Sequence, residues 1–266
     1  MLRVIIINLA LISTLLSFAV NAGELIEGNF ESGGHQFSFE GISNFKYPFL
    51  KLNPEPALIV THASSYWDPM HYTWPAIKIL VSSFRKNKLS LKYMAAIEER
   101  SQANAADLKA ANTYFPPGIN SDDLYPFQGD SHRMIATGHH VVIAGGNFTI
   151  CACGTVRSII ALSEAKGPLN IHYAMDGIYE GEKGKVYTLL EISKRYDDAN
   201  FLKYLDESYF NEDSLPCKEA SLFALDRKFS YEIYRGKKRI GHRGKSKDLV
   251  ILRFETSSEI LKELNL

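Results

Sequence analysis

The stretch HHVVIAGGNFTICACGTVRSIIAL, residues 139–162, predicts how the centre of this chain folds. An apolar run leads to a glycine pair at 145–146, and a helical pattern follows from Cys151. The stretch therefore predicts a buried strand, a tight turn and a helix that begins at the cysteine. A thiolate in that position is stabilised by the partial positive charge of the helix N-terminus, and this is the placement that a cysteine nucleophile needs.

Segments on either side repeat this alternation of strand and helix. ALIVTHASS, from Ala57, suits a strand buried on both faces, and WPAIKILVSSFRKN, from Trp74, has apolar residues at helical spacing. LSLKYMAAI and LNIHYAMDG are further strand candidates. This order predicts an α/β fold, a three-layer parallel sheet with crossover helices, over residues 51–185.

Three other segments frame this core. Residues 1–22 have a positively charged start, an apolar stretch and the small-residue site VNA, as signal peptides do, which predicts a secreted or periplasmic protein; an uncleaved N-terminal anchor is the alternative. Residues 23–50 form a β-rich segment in which NFESGGHQFSFEG predicts a hairpin. Residues 186–266 predict an α+β extension with a second hairpin and a closing helix capped at Ser257 or Ser258.

The numbers of basic and acidic residues are balanced, so the protein is neither basic nor acidic overall. The chain has 266 residues, of which 30 are basic and 30 acidic, so no global field attracts nucleic acid or a membrane. Its basic stretch, residues 235–247, predicts contact with an anionic surface, or else a solvated turn. The side chains expected to make that contact are Arg235, Lys237, Lys238, Arg239 and Arg243. The aromatic residues nearby do not interleave with these charges, which argues against a specific nucleic-acid site.

The chain has three cysteines, Cys151, Cys153 and Cys217. In an oxidising compartment exposed thiols tend to pair, but an odd number leaves at least one outside any internal disulfide. Cys153 is expected in the core. The two neighbouring cysteines could also serve a redox or zinc role, although their spacing differs from that of structural zinc ligands. The sequence predicts neither a resident metal nor a cofactor.

Ligands of open α/β sheets bind beyond the carboxyl ends of the parallel strands. That rule selects His62 after the first core strand, Gly146 and Asn147 before the thiol, and Asp176 at a later strand end. The segment SYWDPMHYTW, residues 65–74, adds an aromatic group that is expected either to wall a pocket or to anchor the following helix. The residues of this group that are predicted to line the pocket are Trp67, Tyr72 and Trp74.

The run VVIAGGNFTICACGTVRSIIA resembles the segment of the isochorismatase-like cysteine hydrolases in which a strand and a glycine turn lead to the nucleophile. Cys151 falls at the nucleophile's position. ALIVTHASSYWDP resembles the family's first strand and IHYAMDG its later strand that ends in an aspartate, so the resemblance covers about residues 57–180. It implies a three-layer α/β fold and a triad of aspartate, lysine and cysteine that acts on small amides.

The triad departs from the family pattern. His62 stands where the family has its first-strand aspartate, and the nearest acid is Asp68. Lys109 lies in an irregular excursion and Lys92 inside a strand, so neither is clearly the family's lysine. His62 or Asp68 is then the expected general base. The hypothesis is an exported cysteine hydrolase that cleaves a C–N bond in a small molecule. Its alternatives are an inactive envelope binding protein of the same fold and a thiol redox or zinc protein.

Overall fold

The structure is a computed structural model that describes residues 29–32, 35–38, 50–95, 114–120, 123–126, 134–161, 163, 165–182, 185–208, 210 and 229–266. The predicted signal peptide, Lys109 and Cys217 lie outside these residues.

The strands are β1 (Asn29–Ser32), β2 (His35–Ser38), β3 (Leu50–Leu52), β4 (Ala57–Thr61), β5 (Ser90–Ala95), β6 (Leu124–Pro126), β7 (Met134–Ala136), β8 (His140–Gly145), β9 (Leu169–Ala174), β10 (Tyr179–Glu182), β11 (Lys185–Thr188), β12 (Ser230–Arg235), β13 (Lys238–Arg243) and β14 (Leu249–Glu255). The α-helices are α1 (Trp74–Lys86), α2 (Cys153–Ala161), α3 (Leu189–Ser193), α4 (Asp198–Ser208) and α5 (Ser257–Glu263). A π-helical turn covers Phe148–Ala152 and a 3-10 turn covers Met175–Gly177.

One sheet of eight strands forms the centre of the molecule, in the order β13-β12-β14-β9-β8-β4-β5-β6. All neighbours in it are parallel except β12 and β13, which form an antiparallel hairpin at one edge. The predicted α/β fold with a parallel sheet is therefore confirmed, and so are the hairpins β1–β2 and β12–β13.

The central strands are mostly apolar because both faces of the sheet are covered. Every residue of β4 and β9 is buried. Since successive side chains of a strand point to opposite faces, the apolar residues divide into two layers. One layer packs against α2 and α4, and the other against α1 and α5. The apolar residues that lie at helical spacing in α1 are all fully buried: Ile77, Leu80, Val81 and Phe84.

The C-terminal segment continues the sheet of the core. Strand β14 lies beside β9, and β12 lies beside β14, both in parallel register. Helix α5 then returns across the sheet, and its N-terminus is capped by Thr256, which forms a capping box with Glu259. The predicted caps, Ser257 and Ser258, are wrong by one or two positions, because the Thr256 hydroxyl accepts the hydrogen bond from the Glu259 amide.

Candidate functional site at the carboxyl edge of the sheet

The strands β4 and β8 lie side by side, and the chain leaves them in opposite directions. After β4 it passes through α1 to β5 on one side, and after β8 it passes through α2 to β9 on the other. Helices α1 and α2 lie on opposite faces of the sheet. The carboxyl ends of β4 and β8 therefore form a topological switch point, the place where open α/β sheets bind their ligands.

Two glycines let the chain turn closely past this point. Gly145 and Gly146 have φ angles of 72° and 71°, a left-handed conformation that glycine adopts without steric cost. A Cβ atom on Gly146 would lie 3.2 Å from the Cβ of Cys151 and 3.4 Å from the Cβ of Thr61. The cysteine and the end of β4 thus flank the same glycine, and Cys151 lies at the switch point.

Cys151 is half-buried and is not part of a disulfide. It lies inside the π-helical turn, so the predicted helix start is wrong: the helical conformation begins at Phe148 and the α-helix proper at Cys153. π-Helical turns are rare and occur often at functional sites. Cys153 is fully buried, as predicted, and is disulfide-bonded. It therefore has no thiolate with which to hold a metal together with Cys151.

A buried carboxylate, Glu180 on β10, fixes the turn that carries Cys151. Its oxygens accept hydrogen bonds from the Asn147 side chain and the Thr149 amide, both at 3.0 Å, and from the Gly181 amide at 2.9 Å. Burial raises the pKa of Glu180, and these hydrogen bonds act in the opposite direction. Sequence reasoning missed Glu180, because an acid in a short strand after a turn carries no sign that it reaches back to residue 149.

The amides of the turn that carries Cys151 are already engaged around Asn147. Its side-chain oxygen accepts from the amide and the hydroxyl of Thr149. Its carbonyl oxygen accepts from the amides of Ile150 and Ala152. Asn147 therefore caps the turn, and the amides at 149, 150 and 152 point into this network.

His62 follows β4 directly and has a φ angle of 38°, which is uncommon for a residue with a side chain. It is buried, its amide donates to the carbonyl of Met94, and its ring centroid lies 6.2 Å from that of Trp67. Strained backbone of this kind persists where the surrounding structure holds it and is concentrated at functional sites. His62 is thus at the predicted edge, beside the end of β4 that flanks Gly146.

Asp68, the second candidate base, is fully buried, and both of its carboxylate oxygens accept hydrogen bonds from the end of the loop before α1. One oxygen accepts from the Tyr72 amide at 3.0 Å. The other accepts from the amide and the hydroxyl of Thr73, at 2.9 and 2.8 Å. These contacts give Asp68 the role of a clamp that starts the helix.

The predicted aromatic group separates into two parts. Trp74 is buried, stacks on His71 with ring centroids 3.6 Å apart, and donates its ring N–H to the carbonyl of Ala63. It anchors α1. Trp67 and Tyr72 are 38% and 46% exposed and lie on the surface of the loop that follows β4. Trp67 and Tyr72, unlike Trp74, are accessible from solvent.

Asp176 lies just past β9 but binds within the protein. Its two oxygens accept from the amide and the hydroxyl of Ser257, at 2.7 and 2.8 Å. The contact holds the N-terminus of α5 to the end of β9. Among the residues that the structure describes, one group of His, Cys, Asp or Glu side chains is close enough to hold a metal ion, and it lies elsewhere, beneath α5.

The basic hairpin β12–β13 is largely neutralised by neighbouring acids. Arg235 and Lys238 both contact Asp198 of α4. Arg239 pairs with Glu232 at 3.0 Å, and Arg243 pairs with Asp206 at 2.7 Å. Four of the five side chains expected to contact an anionic surface thus have acidic partners inside the protein.

Two buried hydroxyls at the switch point have no hydrogen-bond partner within the described part of the chain. They belong to Thr61, the last residue of β4, and to Ser64. A buried polar atom without a partner is costly, so these hydroxyls add to the polar character of this edge.

Comparisons with protein-family models, with curated proteins and with solved structures found no match for this chain. In the described ranges, no helix combines the length and the apolar character needed to cross a bilayer.

Proposed function

We propose that this protein is an exported cysteine-dependent hydrolase that cleaves a C–N bond in a small molecule. The observation that carries the proposal is the half-buried thiol of Cys151 at the switch point of a parallel sheet, inside a π-helical turn. The likeness of residues 57–180 to isochorismatase-like hydrolases supplies the reaction type.

The chemistry requires a base beside the thiol, and His62 is the candidate. It follows Thr61, whose Cβ flanks the same glycine as Cys151. His62 takes the thiol proton as Sγ attacks the carbonyl carbon, and it returns that proton to the nitrogen as the C–N bond breaks. A water molecule then attacks the thioester, releasing the carboxylic acid and restoring the thiol.

The positions of the other predicted residues assign them supporting roles in this proposal. Gly146 gives the thiol its room, and Asn147 holds the turn. Trp67 and Tyr72 offer exposed aromatic surface to the substrate. Asp68 positions the loop of His62 through the hydrogen bonds to residues 72 and 73.

Export is supported by two features of the chain. Residues 1–22 have the pattern of a signal peptide. Cys153 is disulfide-bonded, and disulfides persist in oxidising compartments.

A binding protein without catalysis is the second candidate. The observation that favours it is the engagement of the amides at 149, 150 and 152, which leaves those groups without a role in stabilising an oxyanion. Such a protein uses the same edge of the sheet but does not need the thiol.

Labelling with iodoacetamide between pH 5 and 9, followed by peptide mapping, tests the thiol. A midpoint for Cys151 well below the ~8.5 of an ordinary thiol supports a nucleophile. Turnover of an amide library by the mature protein must then disappear in Cys151→Ala and persist in Ile79→Ala, a matched change on the exposed side of α1.

The opposite results identify the binder. If Cys151 labels only after unfolding and no amide is cleaved, the hydrolase proposal is wrong. A ligand that binds equally well to the protein and to Cys151→Ser then establishes a binding protein at this edge.

A further inference from the structure

A cluster of histidine and glutamate side chains lies beneath α5, on the face of the sheet that also carries α1. The Nδ1 atom of His172 on β9 lies 2.9 Å from an oxygen of Glu255 on β14. The carboxyl group of Glu255 also lies close to that of Glu263, in the last turn of α5. One donor atom each from His172, Glu255 and Glu263 lie within 4.8 Å of one another.

The cluster is buried on one side and reaches solvent on the other. His172 is fully buried and Glu255 is 2% exposed. The Glu263 side chain is 30% exposed, so solvent and small ions can approach from the end of α5. Two carboxyl groups this close repel one another when both are ionised. A shared proton or a bound cation relieves that repulsion, in addition to the Arg253 guanidinium that contacts Glu263.

We propose that His172, Glu255 and Glu263 bind one divalent transition-metal ion. One imidazole nitrogen and two carboxylate oxygens, contributed by two strands and a helix, form a ligand set that suits zinc and the neighbouring metals of its row. Calcium and magnesium bind oxygen ligands and do not favour an imidazole. Water approaching beside Glu263 completes the coordination.

The surrounding contacts fit a metal ligand set. The second ring nitrogen of His172 lies 3.0 Å from Nδ1 of His140, so its N–H can donate there while Nδ1 faces the carboxylates. Arg253 contacts one oxygen of Glu263 at 3.3 Å and donates to Asn170, as the outer partners of ligating carboxylates do. Burial also lowers the pKa of His172 to about 4, which keeps its ring neutral near pH 7.

Such an ion has a structural effect that is separate from the chemistry of Cys151. The N-terminus of α5 is held to the end of β9 by Asp176. The ion ties the other end of the same helix to β9 and β14. Metal binding is therefore expected to stabilise the packing of the C-terminal helix.

Calorimetric titration of the EDTA-treated full-length mature protein with Zn²⁺ tests the site, after Cys151 has been blocked with iodoacetamide. The expected result is one equivalent of bound zinc, a higher melting temperature, and no comparable binding of Ca²⁺. Glu263→Gln is the decisive variant, since its partly exposed side chain allows the change, and it should weaken zinc binding by roughly 100-fold. His242→Asn, on the exposed hairpin, is the matched control and should bind as the unaltered protein does.

Three outcomes overturn the proposal. If the unaltered protein binds no stoichiometric zinc, the two carboxyl groups share only a proton. If zinc binds but Glu263→Gln leaves its affinity unchanged, the ion lies elsewhere. If His242→Asn weakens binding as much as Glu263→Gln does, the zinc is held by surface histidines. Circular dichroism of each variant before titration confirms that a loss of binding does not reflect a loss of fold.

Discussion

The loops that follow β4 and β8 reach the same edge of the sheet, and each is held by a buried carboxylate. In the β4 loop, residues 62–73, the carboxylate is Asp68, which accepts hydrogen bonds from residues four and five positions further along. In the β8 loop, residues 146–152, it is Glu180, which lies 31 residues from the Thr149 amide that it accepts. One carboxylate belongs to the loop that it holds, and the other belongs to a distant strand.

This difference has a physical consequence for the thiol. The clamp of the β4 loop, Asp68, belongs to the loop itself, although the first residues of the loop are also tied to the rest of the chain. The Ala63 amide donates to the Tyr93 hydroxyl and the Ser65 amide to the Tyr114 carbonyl. The β8 loop, which carries Cys151, needs β10 beside it, and the amide of Tyr179 donates to the carbonyl of Gly146 to bring that strand alongside. The environment of the thiol therefore depends on the fold of the chain beyond residue 174, whereas that of His62 depends on β5, through the hydrogen bond of its amide to the Met94 carbonyl.

The contact between the carboxyl ends of β4 and β8 gives the largest expected effect. A Cβ on Gly145 would lie 2.4 Å from the carbonyl oxygen of Thr61, and the φ angle of 72° disfavours a side chain. Gly145→Ala should lower the free energy of unfolding by about 3–4 kcal/mol, as measured by urea denaturation. The matched control is Gly181→Ala, whose added Cβ meets its nearest atom at 3.9 Å. Equal effects in the two variants would contradict a tight crossing at the switch point.

Removal of Asp68, the local clamp of the β4 loop, should give the second largest loss of stability. Asp68→Ala leaves the amide and hydroxyl of Thr73 without their buried acceptor, and we expect a loss of about 2–3 kcal/mol in the free energy of unfolding. The control is Asp197→Ala, which removes an exposed hydrogen bond to the Asn200 amide and should cost about 1 kcal/mol or less. If Asp68→Ala keeps its stability but stops all turnover, Asp68 is catalytic and the clamp interpretation is wrong.

What the sequence could predict follows the same division between local and distant contacts. Strands β4 and β8 were predictable because continuous apolar runs indicate burial on both faces. The core face of α1 was predictable from its helical spacing. The placement of Cys151 at a strand-to-helix junction was also predictable, because the glycine pair, the turn and the cysteine follow one another closely in the chain.

The remaining features depend on contacts that no short segment contains. Glu180 and the cluster of His172, Glu255 and Glu263 join positions that are far apart, 83 residues in the case of His172 and Glu255. The role of Asp68 was assigned from its proximity to His62 in the chain. The local sequence, an acid followed by Thr73, Trp74 and a proline, equally indicates the start of a helix.

Loss of Glu180, the distant clamp of the β8 loop, should have a smaller effect on stability and a larger effect on the reactivity of the Cys151 thiol. Glu180→Ala removes an acceptor from Thr149, but the Asn147 side chain still accepts that amide, so we expect a loss of about 1–2 kcal/mol. Because the clamp holds the turn that carries Cys151, the rate of iodoacetamide labelling should change in this variant. Asp68→Ala, in the other loop, should alter that rate less. The reverse order would show that the β4 loop, and not β10, sets the environment of the thiol.

The pH dependence of stability gives the smallest effect and tests the distant clamp alone. Burial raises the pKa of Glu180 above the ordinary value of 4.5, so the folded state holds its proton more tightly than the unfolded chain does. Below pH 4.5 this contribution is fully present, and it is lost as the pH rises through the raised pKa of the folded state. Glu180→Gln cannot titrate at this position. The difference in unfolding free energy, unaltered protein minus Glu180→Gln, should therefore fall as the pH rises above 4.5.

Asp198→Asn provides a control of opposite sign. The hydrogen bond from Lys238 lowers the pKa of Asp198 below 3.8, so its contribution is lost only as the pH falls. Its difference from the unaltered protein should stay nearly constant above about pH 5. If the Glu180 difference is equally flat over that range, the carboxylate is ionised in the folded protein as it is in water, and its hydrogen bonds from Thr149, Asn147 and Gly181 fully compensate its burial. The Glu180 carboxylate would then have a full negative charge in the folded protein, close to the turn that contains Cys151.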